Sequence, residues 1–263
     1  MHSLHIGVPS PSWGHFTASL DIRQHAGIAR DAASQLGFET TLLDTPEATT
    51  WGNVWTELVS ITERVRTGGT VFISFVGHGF KVGEEPAGPP GVSGGSACEQ
   101  RDGVAEHWVL QDRALSELDV RALWKRCGSS TTIRCLSDAC YGGGFGGPPP
   151  MLNWIRRFFP STDRLAYPPR IYTARDAQEL EARVAIFSPA PESTEILSGF
   201  TPVFAEAMSR QHASNEALRA AAEQEWKKRQ GRYSCLRVYG PRGEGERLAP
   251  PFPGESTRTT PCP

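Results

Sequence analysis

The chain has 263 residues and a mass of 28.7 kDa, which suits a single α/β domain with a full core, or such a domain with a small appendage. Its net charge of −2 and isoelectric point near 6.4 give no sign of a protein that binds nucleic acid or an anionic membrane. No apolar run reaches the length of a membrane span, and the N-terminus lacks a charged region followed by an apolar stretch, so we expect a cytoplasmic protein.

The cysteines are even in number but scattered. No two form a Cys-x-x-Cys pair, which argues against a zinc site or a secreted disulfide scaffold and favours free thiols in a reducing compartment. Three of them, Cys127, Cys135 and Cys235, are expected to fill core space. Cys140 differs, because glycines follow it closely and an acid stands two positions before it. The full set is Cys98, Cys127, Cys135, Cys140, Cys235 and Cys262.

The first third of the chain alternates between strand and helix patterns. Apolar runs of strand length are separated by segments with apolar residues at helical spacing, and the first of these helices stops at Gly37. This β-α-β-α-β rhythm predicts a parallel sheet with helices on both faces. The predicted strands are Leu4–Val8, Phe38–Leu43 and the run that begins at Val71, and the predicted helices are Ile22–Leu36 and Ala48–Arg66.

The rest of the chain continues the pattern with two interruptions. Lys81–Arg101 and Tyr141–Pro150 are rich in glycine and proline and are predicted to form no regular element. With the later strands, the chain predicts a three-layer α/β/α sandwich with a mainly parallel six-stranded sheet. The later strands are Thr131–Ser137, Arg170–Ala174 and Tyr233–Tyr239, and the later helices are Leu115–Arg126, Phe200–Ser209 and Asn215–Lys228.

Two stretches, Val71–Gly79 (VFISFVGHG) and Thr132–Gly144 (TIRCLSDACYGGG), share one design. In each, an apolar run ends in a reactive side chain among glycines, His78 in the first and Cys140 in the second. If both runs are parallel strands of one sheet, their carboxyl ends lie at the same edge. The two side chains would then form the minimum set for a thiolate nucleophile, although a lone histidine at a strand end is more often structural.

These motifs resemble those of caspase-like peptidases, and most closely those of metacaspases and their bacterial orthocaspase relatives. The family has a strand ending Ser-Gly-His-Gly, followed later by a strand ending Asp-x-Cys-His-Ser-Gly. Here His78-Gly79 and Asp138-x-Cys140 are kept, and 62 residues separate the histidine from the cysteine. The chain departs from the pattern at Val76, Tyr141 and Gly142. The resemblance covers roughly residues 4–239, including an acidic segment with a short hairpin at 102–112.

The resemblance implies a caspase-like peptidase domain over residues 1–240, with irregular regulatory loops at 81–101 and 141–168 and a loosely ordered tail at 241–263. It also implies that Cys140 is the nucleophile and that His78 returns a proton to the leaving amine. The backbone amides of Gly79 and Cys140 would supply the oxyanion hole.

The resemblance further implies a pocket for the residue before the cut bond. In metacaspases the acid two positions before the cysteine lines this pocket, so Asp138 would select arginine, or lysine, through a charge-assisted hydrogen bond. Val76 stands where the family has a pocket serine, and His25 stands where it has a further acid. The alternative interpretation is that Asp138 only caps or bonds the turn after its strand.

The sequence also bears on cofactors and on regulation. We expect no metal cofactor. Calcium is not favoured, because Gly142–Met151 contains no acid and Glu99, Asp102, Glu106 and Asp112 would form only half a site. Zinc is not expected either, because the His78 and Cys140 pair lacks a nearby third ligand. Four arginines in exposed-looking stretches are candidate processing sites, namely Arg101, Arg156, Arg157 and Arg164.

The leading hypothesis is a monomeric cysteine endopeptidase that acts on protein substrates. An upstream protease or a partner would activate it, in a bacterial defence or cell-death pathway. The main alternative is a catalytically silent caspase-like scaffold or regulatory module. Retention of both His78 and Cys140 favours the enzyme, and the scattered cysteines speak against a metal-binding or redox protein.

Overall fold

The computed structural model describes residues 1–12, 21–83, 104–139, 180–189, 199–210, 212, 214–230 and 234–239. The helices in these ranges are α1 (Asp21–Gln35), α2 (Trp51–Val65), α3 (Glu117–Trp124), α4 (Phe200–Met208) and α5 (Asn215–Gln230). The strands are β1 (His2–Gly7), β2 (Glu39–Leu43), β3 (Gly69–Val76), β4 (Gly79–Gly83), β5 (Val104–Val109), β6 (Ala114–Ser116), β7 (Thr131–Asp138), β8 (Arg183–Pro189) and β9 (Ser234–Tyr239).

Six of the strands form the central sheet, in the order β2-β1-β3-β7-β8-β9. The first five are parallel, and β9 runs antiparallel to β8. The predicted α/β sandwich with a mainly parallel sheet is therefore confirmed. Strand β8 was not predicted from the sequence. The strand predicted after Cys140, Arg170–Ala174, lies outside the described residues, as do the loop at 141–168 and the tail at 241–263.

Each face of the sheet is covered by helices. Side chains alternate along the strands, so that Leu4 and Ile6 of β1 pack towards α2 and α3, whereas Phe72 of β3 and Leu136 of β7 pack towards α4 and α5. All eight residues of β7 are buried, as expected of a parallel strand covered on both sides. The strands that carry the two reactive motifs are therefore the centre of the core.

A second, antiparallel sheet has the order β4-β5-β6 and begins directly after His78. The prediction of no regular element over Lys81–Arg101 is wrong at its start, because β4 continues to Gly83 through backbone pairing with β5. The predicted helix start at Leu115 is also too early, since Leu115 belongs to β6 and pairs with Trp108 of β5. In both places cross-strand hydrogen bonding overrides the local propensity of the sequence.

Two helix ends show how the chain fixes its turns. Helix α1 is followed by Gly37 with φ of 82°, and the amide of Phe38 donates to the carbonyl of Ala33 at 3.1 Å, which is a Schellman arrangement. The glycine stop signal is thus confirmed. At the start of α2, the amide of Trp51 donates to Oδ1 of Asp112 at 2.7 Å, so a residue from the β5–β6 turn caps this helix.

Gly7, at the end of β1, lets α1 approach the sheet closely. A Cβ atom at this position would lie 2.8 Å from Cβ of Ala26 and 3.2 Å from the carbonyl oxygen of Ile22. Both neighbours belong to the helix backbone or its first side-chain atom, so neither can move without shifting α1. Gly27, on the same helix, has open space around its own Cβ position.

Substituting these two glycines is expected to have opposite effects. Gly7→Ala should lower the free energy of unfolding by about 1–3 kcal/mol, because the added methyl group forces α1 away from the sheet. Gly27→Ala should raise it by about 0.5–1 kcal/mol, because alanine favours the helical backbone. Urea unfolding of both variants measures the difference, and an unchanged stability in Gly7→Ala would contradict the close approach.

Candidate active site

His78 lies two residues beyond the carboxyl end of β3 and directly before β4, where the chain passes from the central sheet to the second sheet. Its side chain is buried, and its carbonyl accepts a hydrogen bond of 2.9 Å from the amide of Val109 in β5. The next residue, Gly79, opens β4 and pairs with Trp108. The backbone on both sides of the histidine ring is therefore fixed by regular structure.

Strand β7 is the direct parallel neighbour of β3, and their last residues are in register. Val76 is the partner of Asp138, and the amide of Gly77 donates to the carbonyl of Asp138 at 3.2 Å. His78 stands two residues beyond one member of this pair, and Cys140 stands two residues beyond the other. The predicted arrangement of the two strands is confirmed. Cys140 itself lies outside the described residues, so its contact with His78 stays a prediction.

The carboxylate of Asp138 is buried against the N-terminus of α4. Its Oδ2 atom accepts a hydrogen bond of 2.8 Å from the amide of Thr201 and one of 2.7 Å from the Thr201 hydroxyl, and the amide of Phe200 also donates to this carboxylate. Gly199 precedes α4 and has no side chain that could cap the helix. Asp138, at the end of β7, caps it instead. This contact gives Asp138 a structural role, with α4 and not with the turn after β7, and its predicted role in a pocket stays a prediction.

Burial controls the ionisation of this acid. Desolvation raises the pKa of Asp138 from 3.8 to about 6, and the hydrogen bonds from Thr201 and Phe200 oppose this rise. All of these donors are neutral, so they stabilise the carboxylate without cancelling its charge.

The two other predicted pocket residues lie along α1 and β3. Val76 is fully buried and clusters with Ile22 and Ala26 of α1. His25 lies on the same helix, is half-buried, and has a pKa that burial lowers and Asp21 raises to a smaller extent. Its buried Nδ1 atom has no hydrogen-bond partner in the part of the chain that the structure describes. His25 therefore lies on the helix whose Ile22 and Ala26 pack against the last residue of β3.

Two residues that contact the ends of the motif strands are not among the site residues predicted from the sequence. Thr201 bonds Asp138, as described, and Trp108 of β5 donates through Nε1 to Oγ of Ser137 at 3.0 Å. Neither has a local signal, because the partners are 63 and 29 residues apart in the sequence. Trp108 lies within the predicted hairpin at 102–112.

The remaining predicted sites are only partly visible. The four candidate processing arginines all lie outside the described ranges, as do Glu99 and Asp102. Asp112 caps α2. Among residues with a described placement, no group of three or more His, Cys, Asp or Glu side chains could hold a metal ion. Within the same ranges, no helix combines the length and apolar character needed to cross a bilayer.

No protein-family model matches the sequence, and no curated protein sequence matches it. Solved structures do. The chain is similar to protein GSU0716 from Geobacter sulfurreducens, with a TM-score of 0.67 and 17% identity, over 95% of this chain and 97% of that chain.

Two caspases are similar in structure as well. For pro-sf-caspase-1 the TM-score is 0.52 and the identity 10%, over 90% of this chain and 86% of that chain. For the Drosophila initiator caspase Dronc the TM-score is 0.57 and the identity 8%, over 96% of this chain and 83% of that chain. At these identities the likeness concerns the fold, and the chain has an α/β fold similar to that of caspases.

The Asp138 contact predicts a specific dependence of stability on pH. Because its pKa of about 6 in the folded protein exceeds the ordinary 3.8, the folded state holds the proton more tightly, and this group's contribution to the free energy of unfolding rises as pH falls from 7 towards 4. Asp138→Asn lacks the titrating proton. The stability of the unsubstituted chain relative to Asp138→Asn should therefore increase by up to about 1.4 kcal/mol per pH unit across this range.

The comparison between variants is needed because buried His5 acts in the opposite direction. Burial, with a smaller effect of Arg30, lowers the pKa of His5 to about 3, so the contribution of His5 to the free energy of unfolding falls as pH falls below 6.5. Thr201→Val removes one hydrogen bond to the carboxylate and should move the Asp138 transition to higher pH, whereas Thr201→Ser should not. If the stability of the unsubstituted chain and that of Asp138→Asn depended on pH in the same way, the raised pKa of Asp138 would be refuted.

Proposed function

We propose that the chain is a cysteine endopeptidase in which Cys140 is the nucleophile and His78 the acid–base partner. The observation that carries the proposal is the register of β3 and β7. In the sequence, each residue follows a member of the Val76–Asp138 pair by two positions, and this pair ends two neighbouring strands at one edge of the sheet, in a fold similar to that of caspases. Open α/β sheets bind their ligands at this carboxyl edge.

The proposed chemistry is acyl transfer through a thioester. The Cys140 thiolate attacks the carbonyl carbon of the scissile bond, and the C–N bond then breaks as His78 gives its proton to the leaving amine. Water hydrolyses the thioester and restores the thiol. In the proposal, the amides of Gly79 and Cys140 stabilise the tetrahedral oxyanion. Such a mechanism needs no cofactor and no metal.

We propose arginine, or lysine, as the residue before the cut bond, with Asp138 as the selecting acid. The support is electrostatic. The donors described for this fully buried carboxylate include no ionised side chain, and a guanidinium group would supply the missing counter-charge with parallel hydrogen bonds. For a substrate to reach the carboxylate oxygens of Asp138, some of the hydrogen bonds between Asp138 and the N-terminus of α4 have to break. Val76 and His25 would then border the pocket from β3 and α1.

The proposed setting is that of a cytoplasmic monomer acting on proteins. Cleavage at Arg101, Arg156, Arg157 or Arg164 by an upstream protease, or binding of a partner, would activate it in a bacterial defence or cell-death pathway. The motif resemblance to metacaspases and orthocaspases is the support for this setting.

Activity on a fluorogenic peptide ending in arginine tests the dyad. The unsubstituted chain, before or after limited proteolysis, should release the fluorophore with or without a chelator, and Cys140→Ala and His78→Ala should lose at least about 100-fold of that rate. Cys135→Ala is the matched control, because it removes a buried thiol from the same strand and should keep the activity. Equal rates in the unsubstituted chain and Cys140→Ala would leave the scaffold alternative in place.

Replacing arginine by citrulline in the substrate tests the pocket. Citrulline has nearly the shape of arginine without its charge, and a hydrogen bond to a charged group contributes roughly 1.5–3 kcal/mol. The unsubstituted chain should therefore prefer arginine by about 10-fold to 100-fold in kcat/KM. Asp138→Asn should abolish this preference. A variant that still prefers arginine would show that another acid selects the substrate.

A further inference from the structure

We propose that Trp108 is a positioning residue, which fixes the carboxyl ends of β3 and β7 relative to each other and so places His78 with respect to Cys140. This inference rests on the proposed dyad, and it concerns a residue outside both motifs. Three contacts carry it, one to each motif strand and one to the backbone of His78.

The first contact is to β3. The indole ring of Trp108 is stacked on the ring of Phe75, with centroids 4.7 Å apart and planes within 3° of parallel. Gly77 makes room for this arrangement, because a Cβ atom there would lie 3.0 Å from Cζ of Phe75. The glycine before His78 therefore allows the Phe75 ring to lie where Trp108 stacks on it.

The second contact is to β7. Nε1 of Trp108 donates to Oγ of Ser137 at 3.0 Å. Phe75 and Ser137 are register partners in adjacent strands, and each stands three residues before a member of the proposed dyad. One side chain thus bridges a matched pair of positions, by stacking on one and by a hydrogen bond to the other.

The third contact is through the backbone of β5. Trp108 pairs with Gly79, and the following amide, that of Val109, donates to the carbonyl of His78 at 2.9 Å. The segment that bridges the two strands therefore also holds the histidine backbone. Since a displacement of about 1 Å between reacting groups can reduce a rate by roughly 100-fold, this bridge has the means to control the dyad.

Packing alone does not account for the geometry. Phe75 is fully buried, and phenylalanine at position 108 could stack on it equally well. What only tryptophan supplies is the Nε1 donor to Ser137, whose hydroxyl is itself buried on the cysteine strand. The positioning role should therefore depend on this hydrogen bond rather than on the size of the ring.

A double-mutant cycle tests this dependence. Trp108→Phe keeps the stacking and removes the donor, and Ser137→Ala removes the acceptor. Each should lower kcat by about 10-fold or more with little change in KM, and each should raise the pH midpoint for alkylation of Cys140 by iodoacetamide, followed by mass spectrometry of its peptide. The double variant should be no worse than either single one, because both remove the same bond.

The matched control is Trp124→Phe, which alters a buried tryptophan of the same core at the end of α3, outside both motif strands. It should cost stability and leave the alkylation midpoint unchanged. If Trp108→Phe and Ser137→Ala behave like this control, the positioning role is refuted. A shifted midpoint in both variants, in a chain that cleaves no peptide, would support the positioning role and refute the protease instead.

Discussion

The parallel pairing of β3 with β7 is the constraint on which the rest of the site depends. Both strands are buried on two faces, so a slip of one residue would turn apolar side chains towards the wrong helices. The core therefore specifies the register, and the register in turn sets Val76 opposite Asp138. His78 follows one member of this pair by two residues, and Cys140 follows the other by two residues in the sequence, so core packing fixes the strand ends from which both residues continue.

The end of β7 is held from both sides of the sheet. On one face Ser137 accepts a hydrogen bond from Trp108, and on the other Asp138 accepts hydrogen bonds from Thr201 at the N-terminus of α4. Side chains alternate along a strand, so consecutive residues anchor the strand to opposite layers. The residue that follows them, Ala139, is buried and leads directly to Cys140. The nucleophile proposed here would thus extend from a rigid strand end, which is the support that a precise catalytic geometry requires.

The sequence predicted those parts of the fold that local pattern determines. The long apolar runs of β3 and β7 and the helix that stops at Gly37 were recoverable because burial on both faces and a left-handed glycine leave a direct mark on the sequence. Strand β4 was not, because its glycine-containing sequence is held by pairing with β5. The contacts of Thr201 and Trp108 were not either, because they join residues far apart in the chain and depend on how the layers pack.

A crystal structure of the chain bound to an arginine-terminated peptide aldehyde would test the central claim most directly. The account predicts a covalent bond between Sγ of Cys140 and the aldehyde carbon, with the His78 ring within about 3 Å of the sulfur or of the new hydroxyl oxygen. An aldehyde bound elsewhere, or His78 and Cys140 at separate edges of the sheet in that complex, would contradict it.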